Sequence, residues 1–353
     1  MNSHFGPENA DPCIWVTESM QEIDVAVVIV TYKSAALTID SLRSVASERS
    51  DPNIRIRVFV IDNASGDSPS IAQAIDSNDW SSWVTLITAP VNGGFAYGNN
   101  LGIETAYTHG TPSYLYLLNP DAQVRSNAIA ALVRFLESHP KVGIAGSSFE
   151  NLDGSDWPHA FRFPTLMSEV LQGIELGFVS RLFRRWVVAQ TMTKVPQPTD
   201  WICGASMMIR PSVLASIGGM DENYFLYFEE TDFCLRAKRA GFPTWYVPES
   251  RVMHIMGQST SVTDTRAGPK RLPTYWFESR RRYFVMTYGV GRAITIDIAA
   301  LIANSIGLIK RLARRRNRPV PHYIRDLVRN SVLWPKNRDL PAVRSFRPPL
   351  SHL

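Results

Sequence analysis

At 353 residues and 45% hydrophobic, the chain has enough apolar side chains for one large α/β domain with appendages or for two smaller domains, which excludes a disordered protein. Its three cysteines, Cys13, Cys203 and Cys234, form no CxxC pair and no even set, which excludes a disulfide framework and points to a reducing compartment. The net charge of +5 hides an asymmetry: from Lys270 onward 18 Lys and Arg face 4 Asp and Glu, a net +14, and before it 19 face 28, a net −9.

Residues 1–12 carry no basic region followed by an apolar run, so no signal peptide is expected. Residues 25–31 are continuously apolar and β-branched, the pattern of a strand buried on both faces, and residues 37–45 then take helical spacing. Further buried strands are expected at 58–61, 84–88 and 114–118, and another at 142–145 after a helix capped by Ser126. Strands alternating with helices predict a doubly wound, mostly parallel sheet whose ligands sit beyond the carboxyl ends of its strands.

That rule marks four places: Thr31-Tyr32, Asp62-Asn63, Asn92-Gly93-Gly94 and Asn119-Pro120-Asp121. Asp62 suits hydrogen bonds from a nucleobase or ribose, or else caps its own turn. The glycines after Asn92 match neither phosphate-loop pattern but allow a close backbone approach, as does a plain strand-to-helix turn. Asp121 follows an apolar strand, where a hard oxygen can hold a divalent cation. A turn is expected at 151–154, and His159 reads as a surface histidine. Residues 166–188 read as one amphipathic helix with solvated Arg181, Arg184 and Arg185, either packed on the core or touching a membrane. Residues 190–199 read as a flexible connector, and 201–209 as a strand in which Gly204 allows a bulge or a close ligand approach.

The densest chemistry is in Phe225-Leu226-Tyr227-Phe228-Glu229-Glu230-Thr231-Asp232. Carboxylates beside so much apolar surface have perturbed pKa values, which makes Glu229 and Glu230 candidates for general-base or metal-linked work unless they only satisfy a helix dipole. Two strand segments, 244–247 and 251–254, close the domain on His254, where an imidazole could join Asp121 on a metal.

Seven stretches, in order, resemble the glycosyltransferase family 2 pattern on a GT-A fold: Val28-Ile29-Val30-Thr31-Tyr32, Val60-Ile61-Asp62-Asn63-Ala64-Ser65, Asn92-Gly93-Gly94-Phe95 with Gly98-Asn99-Asn100, Leu117-Leu118-Asn119-Pro120-Asp121, Asp200-Trp201 with Gly204-Ala205, residues 225–232, and His254. The resemblance covers residues 25–261 and implies inverting transfer of a sugar from a nucleoside diphosphate donor. It implies Glu230 as general base with Glu229 beside it, Thr31, Tyr32 and Asp62 on base and ribose, and Asp121 with His254 on Mg2+ or Mn2+. Asn92, Gly93, Asn99, Asn119, Trp201 and Gly204 would border the nucleotide sugar. The chain departs from the family in having Asn119 where Asp-x-Asp has its first acid and Glu229-Glu230 where many relatives have Glu-Asp. The Asn-Pro-Asp variant looks most like the rhamnosyltransferase branch, implying dTDP-rhamnose as donor and a polyprenyl-linked or cell-surface glycan as acceptor. A galactofuranosyl or other hexosyl transferase, and a non-catalytic nucleotide-sugar or glycan-binding module, are the alternatives.

The expected division is an extension at 1–23, a GT-A domain at 24–265 with a nucleotide half (24–122) and an acceptor half (123–265), and a basic helical region at 266–353. Residues 294–309 are apolar over about 16 positions, short of the roughly 20 that span a bilayer, and an arginine cluster follows. A cytoplasmic enzyme held peripherally on the inner membrane face fits both features, and a helix packed on the domain fits the first. The cluster is too confined, and too poor in interleaved aromatics, for nucleic acid.

Overall fold

Strand β1 (Ile23–Thr31) lies between two apolar layers: Val25, Val27 and Ile29 enter one cluster and Ala26, Val28 and Val30 the other, none more than 8% exposed. The structure, a computed structural model, describes residues 22–151, 155, 160–175, 177–254, 269–314 and 320–348. Residues 1–21 of the N-terminal extension, Cys13 among them, most of the turn expected at 151–154, His159, Leu176, the far end of the resemblance beyond His254, and Arg315 and Arg316 lie outside the described residues.

The chain continues through α1 (Ala35–Glu48), β2 (Ile54–Asp62), α2 (Ser68–Ser77), β3 (Val84–Thr88), α3 (Gly94–Thr108), β4 (Tyr114–Leu118), β5 (Ala122–Val124), α4 (Ala128–Ser138) and β6 (Ile144–Glu150). Next come β7 (Ala160–Phe161), α5 (Leu166–Ile174), α6 (Gly177–Leu182), β8 (Gln197–Thr199), β9 (Trp201–Ile202), β10 (Ser206–Ile209), α7 (Pro211–Ile217), α8 (Glu229–Arg239), β11 (Thr244–His254), α9 (Thr274–Arg314) and α10 (Tyr323–Asn330). The main sheet runs β3-β2-β1-β4-β10-β6-β11-β5, with β8 also on β11. Strands β1 to β4 pair in parallel, and β10 inserts antiparallel between β4 and β6. Helices α1, α2 and α4 cover one face, and α3, α7 and α8 the other.

Several local expectations are corrected. Helix α4 is capped from outside: buried Glu48 of α1 accepts the N–H groups of Asn127 (2.7 Å) and Ile129 (3.1 Å), and Asn127, in left-handed conformation, holds the cap position in place of Ser126. The single helix expected over 166–188 stops at Ile174, because Glu175 turns left-handed (φ +51°), and the α6 that follows buries none of its described side chains. The connector at 190–199 ends in a strand paired with β11, and the strand expected over 201–209 is two strands joined by a turn at Cys203-Gly204-Ala205. Residues 244–254 form one strand whose register shifts between Val247 and Arg251.

The largest correction concerns the basic C-terminal region. Helix α9 spans 41 residues with a break at Gly289, so the apolar stretch at 294–309 is only its second half. By length and composition it is apolar enough to cross a membrane, yet it docks along α5, where Gly307 and Gly173 pack backbone to backbone. A Cβ on Gly307 would meet the Gly173 carbonyl at 2.1 Å. Part of the positive charge is neutralised internally. Arg280, 1% exposed, pairs with Glu169 and Asp297 (2.6 Å each), and Arg282 pairs with Asp221 (2.5 Å). At Arg280 the two carboxylates outweigh the desolvation that opposes its charge and hold its pKa above the usual arginine value.

Removing one member of a buried ion network leaves the others uncompensated, at a cost of about 3–5 kcal/mol. Arg280→Leu, which strands Glu169 and Asp297, is expected to lower unfolding stability by that amount, read as a fall in the urea midpoint.

Candidate active site

The ends of β1 and β2 are knitted from their own side chains. Asp62, fully buried, accepts Ser65 N–H (2.9 Å) and Oγ–H (2.6 Å) on one oxygen and Ser68 N–H (2.9 Å) and Oγ–H (2.6 Å) on the other. Burial alone would raise its pKa, but these bonds prevail and hold the carboxyl below the ordinary range. The carboxylate caps its own turn, and contact with a base requires one of these bonds to open. Thr31 is likewise buried, its hydroxyl bonded to Ser34 and Thr38, while Tyr32 stands 39% exposed beside Lys33.

Asn63 holds the next loop. Its amide donates to the Gly94 carbonyl (3.0 Å) and accepts Gly93 N–H (3.2 Å), while Asn92 Oδ1 accepts Gly94 N–H (3.1 Å). Gly94 has φ +86°, and a Cβ there would lie 2.0 Å from the Phe225 carbonyl oxygen, which accepts Phe95 N–H at 2.9 Å. Asn100 adds a second tie, accepting Met220 N–H (2.9 Å) and donating to the Met220 carbonyl (2.8 Å) and to Glu222 (3.0 Å). The start of α3 is thus bound to residues 219–225. Asn99 instead donates to Phe95 O within α3, and Trp201 donates its indole N–H to Arg162 O (3.0 Å) and stacks on Phe161, so both are engaged elsewhere.

The remaining candidates converge on the turn at Cys203-Gly204-Ala205. On one side, Asn119 N–H bonds to the Ala205 carbonyl (3.1 Å), carrying Asp121 with it. The β11–β5 register sets His254 opposite Ala122, which brings its Nε2 to 3.2 Å from Asp121 Oδ1; both residues are buried. On the other side, the Gly204 backbone N–H supports Glu230 at the first turn of α8. The Cys203 thiol sits between: burial raises its pKa most, and the charges of Glu230, Asp121 and Glu229 raise it further.

Tyr227 (φ +70°) and Phe228 (φ +69°) are both left-handed, which aims Glu229 and Glu230 inward from the head of α8. Each such conformation costs roughly 1–2 kcal/mol for a non-glycine residue. It is held by Ser279 Oγ donating to Leu226 O (3.0 Å) and by the Phe228 ring on Tyr283 and Trp276. Glu229 is 2% exposed; burial first, and then the charge of Glu230, push its pKa well up. Burial also raises Glu230, but its backbone N–H contacts and a hydrogen bond from Glu229 restrain the rise. Both carboxyls are thus held above the ordinary glutamate range, and they titrate as a pair.

For a divalent cation the donor set fits in part. Asp121 and His254 form a buried carboxylate–imidazole pair, and Asn119 Oδ1 beside them is a buried oxygen without a hydrogen-bond partner. No group of three or more His, Cys, Asp and Glu suited to a metal occurs among the described residues, so a cation here needs further oxygens from a ligand. Asn63 lies at one of the four marked strand ends and Asn100 inside a quoted motif, but the tying role of each, and the place of Cys203 between the two groups of acids, emerge only in the fold.

A parallel nucleotide-type half joined to a mixed half, with acids gathered where the two meet, is the GT-A architecture. The profile of the family described as glycosyltransferase-like family 2 matches residues 23–268, and the chain belongs to that family and is a glycosyltransferase. A Mycobacterium tuberculosis protein named N-acetylglucosaminyl-diphospho-decaprenol L-rhamnosyltransferase is 29% identical over 228 residues, 62% of this chain and 70% of that protein. The Escherichia coli rhamnosyltransferase WbbL is 25% identical over 171 residues, 46% of this chain and 60% of that protein. Among solved structures, the mannosyltransferase PcManGT from Pyrobaculum calidifontis in complex with GDP-Man and Mn2+ aligns with a TM-score of 0.50 at 16% identity, covering 86% of this chain and 78% of that one, a likeness of fold alone.

Gly66 and Gly94 have nearly the same φ (+85° and +86°), but a Cβ on Gly66 meets nothing within 4 Å. Gly66→Ala is expected to cost about 1 kcal/mol, the conformational penalty alone. Gly94→Ala is expected to cost more and to lower transfer as well, because Phe225 must move; thermal melts and initial rates of the two variants side by side check this.

Proposed function

We propose that this glycosyltransferase moves rhamnose from dTDP-rhamnose, with inversion, to a hydroxyl of a polyprenyl-linked glycan at the cytoplasmic face of the membrane. The observation that carries the reading is the convergence of Glu229 and Glu230, and of Asp121 and His254, on opposite sides of the turn at Cys203-Gly204-Ala205. The sugar and acceptor class are drawn from the printed names of the two rhamnosyltransferases above.

In this mechanism Glu230 is the general base. As the acceptor oxygen attacks the anomeric carbon, its proton passes to the Glu230 carboxylate, and the bond from that carbon to the diphosphate oxygen breaks on the opposite face. Glu229 stays protonated, donates to Glu230 and orients it. Asp121, His254 and the Asn119 amide oxygen would hold Mg2+ or Mn2+, which would offset the negative charge of the departing diphosphate. Tyr32 offers its exposed ring to the base, and Thr31 and Asp62 shape the turn beneath it. Asn92, Gly93, Asn99, Trp201 and Gly204 act from behind, setting the loops that face the sugar. Residues 24–122 then serve the nucleotide and 123–265 the acceptor.

With purified full chain, Mg2+ or Mn2+, dTDP-rhamnose and a polyprenyl-diphospho-N-acetylglucosamine acceptor, Glu230→Gln is expected to lower transfer by roughly 10²–10⁴-fold while donor binding persists. Chelation should abolish transfer and either ion restore it. Turnover with a hexofuranosyl donor instead would move the donor assignment, and binding without turnover of any donor would favour a non-catalytic module.

The pH profile tests the glutamate pair. Glu230 must be ionised to accept a proton and its pKa is raised, so activity should climb with pH along a limb lying above that of an exposed glutamate. Glu229→Gln, which keeps a donor but removes the second titration, should reduce that limb to a single step.

A further inference from the structure

A cleft of about 600 Å³ lies between α5, the second half of α9 and the start of α10, apart from the turn at Cys203-Gly204-Ala205. That volume falls in the range of roughly 300–1,000 Å³ usual for small-molecule pockets. Leu272, Trp276, Leu308, Val320 and Ile324 give it apolar walls, and Arg311, His322 and Arg325 stand along it as cations or potential cations. Arg311 is engaged by Glu175 and Asp326 is paired with Arg271, while Arg325, near enough to Asp326 to feel its charge, forms no salt bridge within 4 Å among the described residues. Apolar walls beside a guanidinium that holds no carboxylate in a salt bridge complement an amphiphile bearing an anion, and a nucleotide or a free sugar fits them poorly.

Two further observations fix the kind of amphiphile. The face of α9 turned away from α5 carries Ile302, Ile306, Ile309 and Leu312, which are 47–67% exposed, so a long apolar chain leaving the cleft meets more apolar surface on the same helix. Trp276, a wall of the cleft, packs edge-on against Phe228 (ring centroids 6.0 Å apart, 67°), the residue immediately before Glu229. One side-chain contact therefore links the cleft to the head of α8.

We propose that this cleft binds the lipid end of the acceptor: the phosphate nearest a polyprenyl chain sits at Arg325 with His322, and the first isoprene units lie along Trp276, Leu308 and Ile324. The inference rests on the lipid-linked acceptor proposed above and adds where its lipid is held.

The test uses full chain in detergent micelles with a benzophenone-bearing long-chain polyprenyl monophosphate, mapping crosslinks by mass spectrometry. Competitors are unlabelled polyprenyl monophosphate, the matching polyprenol, and dioleoylphosphatidylglycerol. Crosslinks at 272–276, 304–311 and 320–325 are expected, competed by the polyprenyl monophosphate and at least tenfold less well by the other two. Arg325→Glu and the cleft-filling Leu308→Trp should each weaken labelling at least tenfold, with dTDP-rhamnose binding unchanged as evidence of an intact fold. Crosslinks confined to the outer face of α9, equal competition by phosphatidylglycerol, or unaltered labelling of both variants would overturn the proposal. Cleft labelling without turnover of any donor would sink the transfer reading and leave the lipid site standing, whereas transfer to a short-chain acceptor without cleft labelling would do the reverse.

Discussion

The carbonyl oxygen of Phe225 is the point on which both halves of the domain bear. It accepts the N–H of Phe95 at the start of α3 and leaves no room for a side chain on Gly94. Asn63 holds that glycine loop to the end of β2, and Asn100 within α3 holds Met220 and Glu222. The loop before α8 is therefore positioned by the nucleotide-type half, although its glutamates face the other. This matters because Tyr227 and Phe228 are each held in a conformation that L-residues avoid, at a combined cost of a few kcal/mol. Neither would persist unless the hydrogen bonds and ring contacts around them left no cheaper backbone path.

Much of that restraint comes from chain far downstream. Arg282 binds Asp221 across 61 positions, Ser279 binds the carbonyl of Leu226, and the Tyr283 ring lies on Phe228. The first half of α9 is in this sense a wall of the catalytic domain. Two of its arginines, Arg280 and Arg282, are neutralised by buried carboxylates, so the +14 of the C-terminal region overstates the charge left for an external surface. What remains outward on the second half of α9 is chiefly apolar, with isoleucines at 302, 306 and 309.

The strands were legible because a strand buried on both faces must be apolar at every position, and few other structures demand that. The acids at 229 and 230 were legible because charge set against so much apolar surface needs a reason. The breadth of α9 was not: Arg280-Arg281-Arg282 reads as a solvated face until Glu169, 111 positions from Arg280, is seen beside it. Nor was the end of α5, where Gly173 must fit against α9 and Glu175 turns left-handed directly after. Asp62 falls between these cases. Its sequence neighbours Ser65 and Ser68 permitted the capping reading, and they occupy both of its oxygens.

The glutamate pair shows why burial alone does not make a base. Desolvation raises both carboxyls, and if it acted unopposed both would be neutral and neither could take a proton. The symmetry is broken by position. Backbone N–H groups favour the anion at each, those of Glu229 and Tyr227 at Glu229 and those of Glu230 and Gly204 at Glu230, while the hydrogen bond between the two carboxyls favours the proton at Glu229 and the anion at Glu230. A proton shared by the pair stabilises whichever carboxyl is left as the anion. In the transfer proposed above, a carboxylate more basic than one in water would be matched to accepting the proton of the attacking hydroxyl.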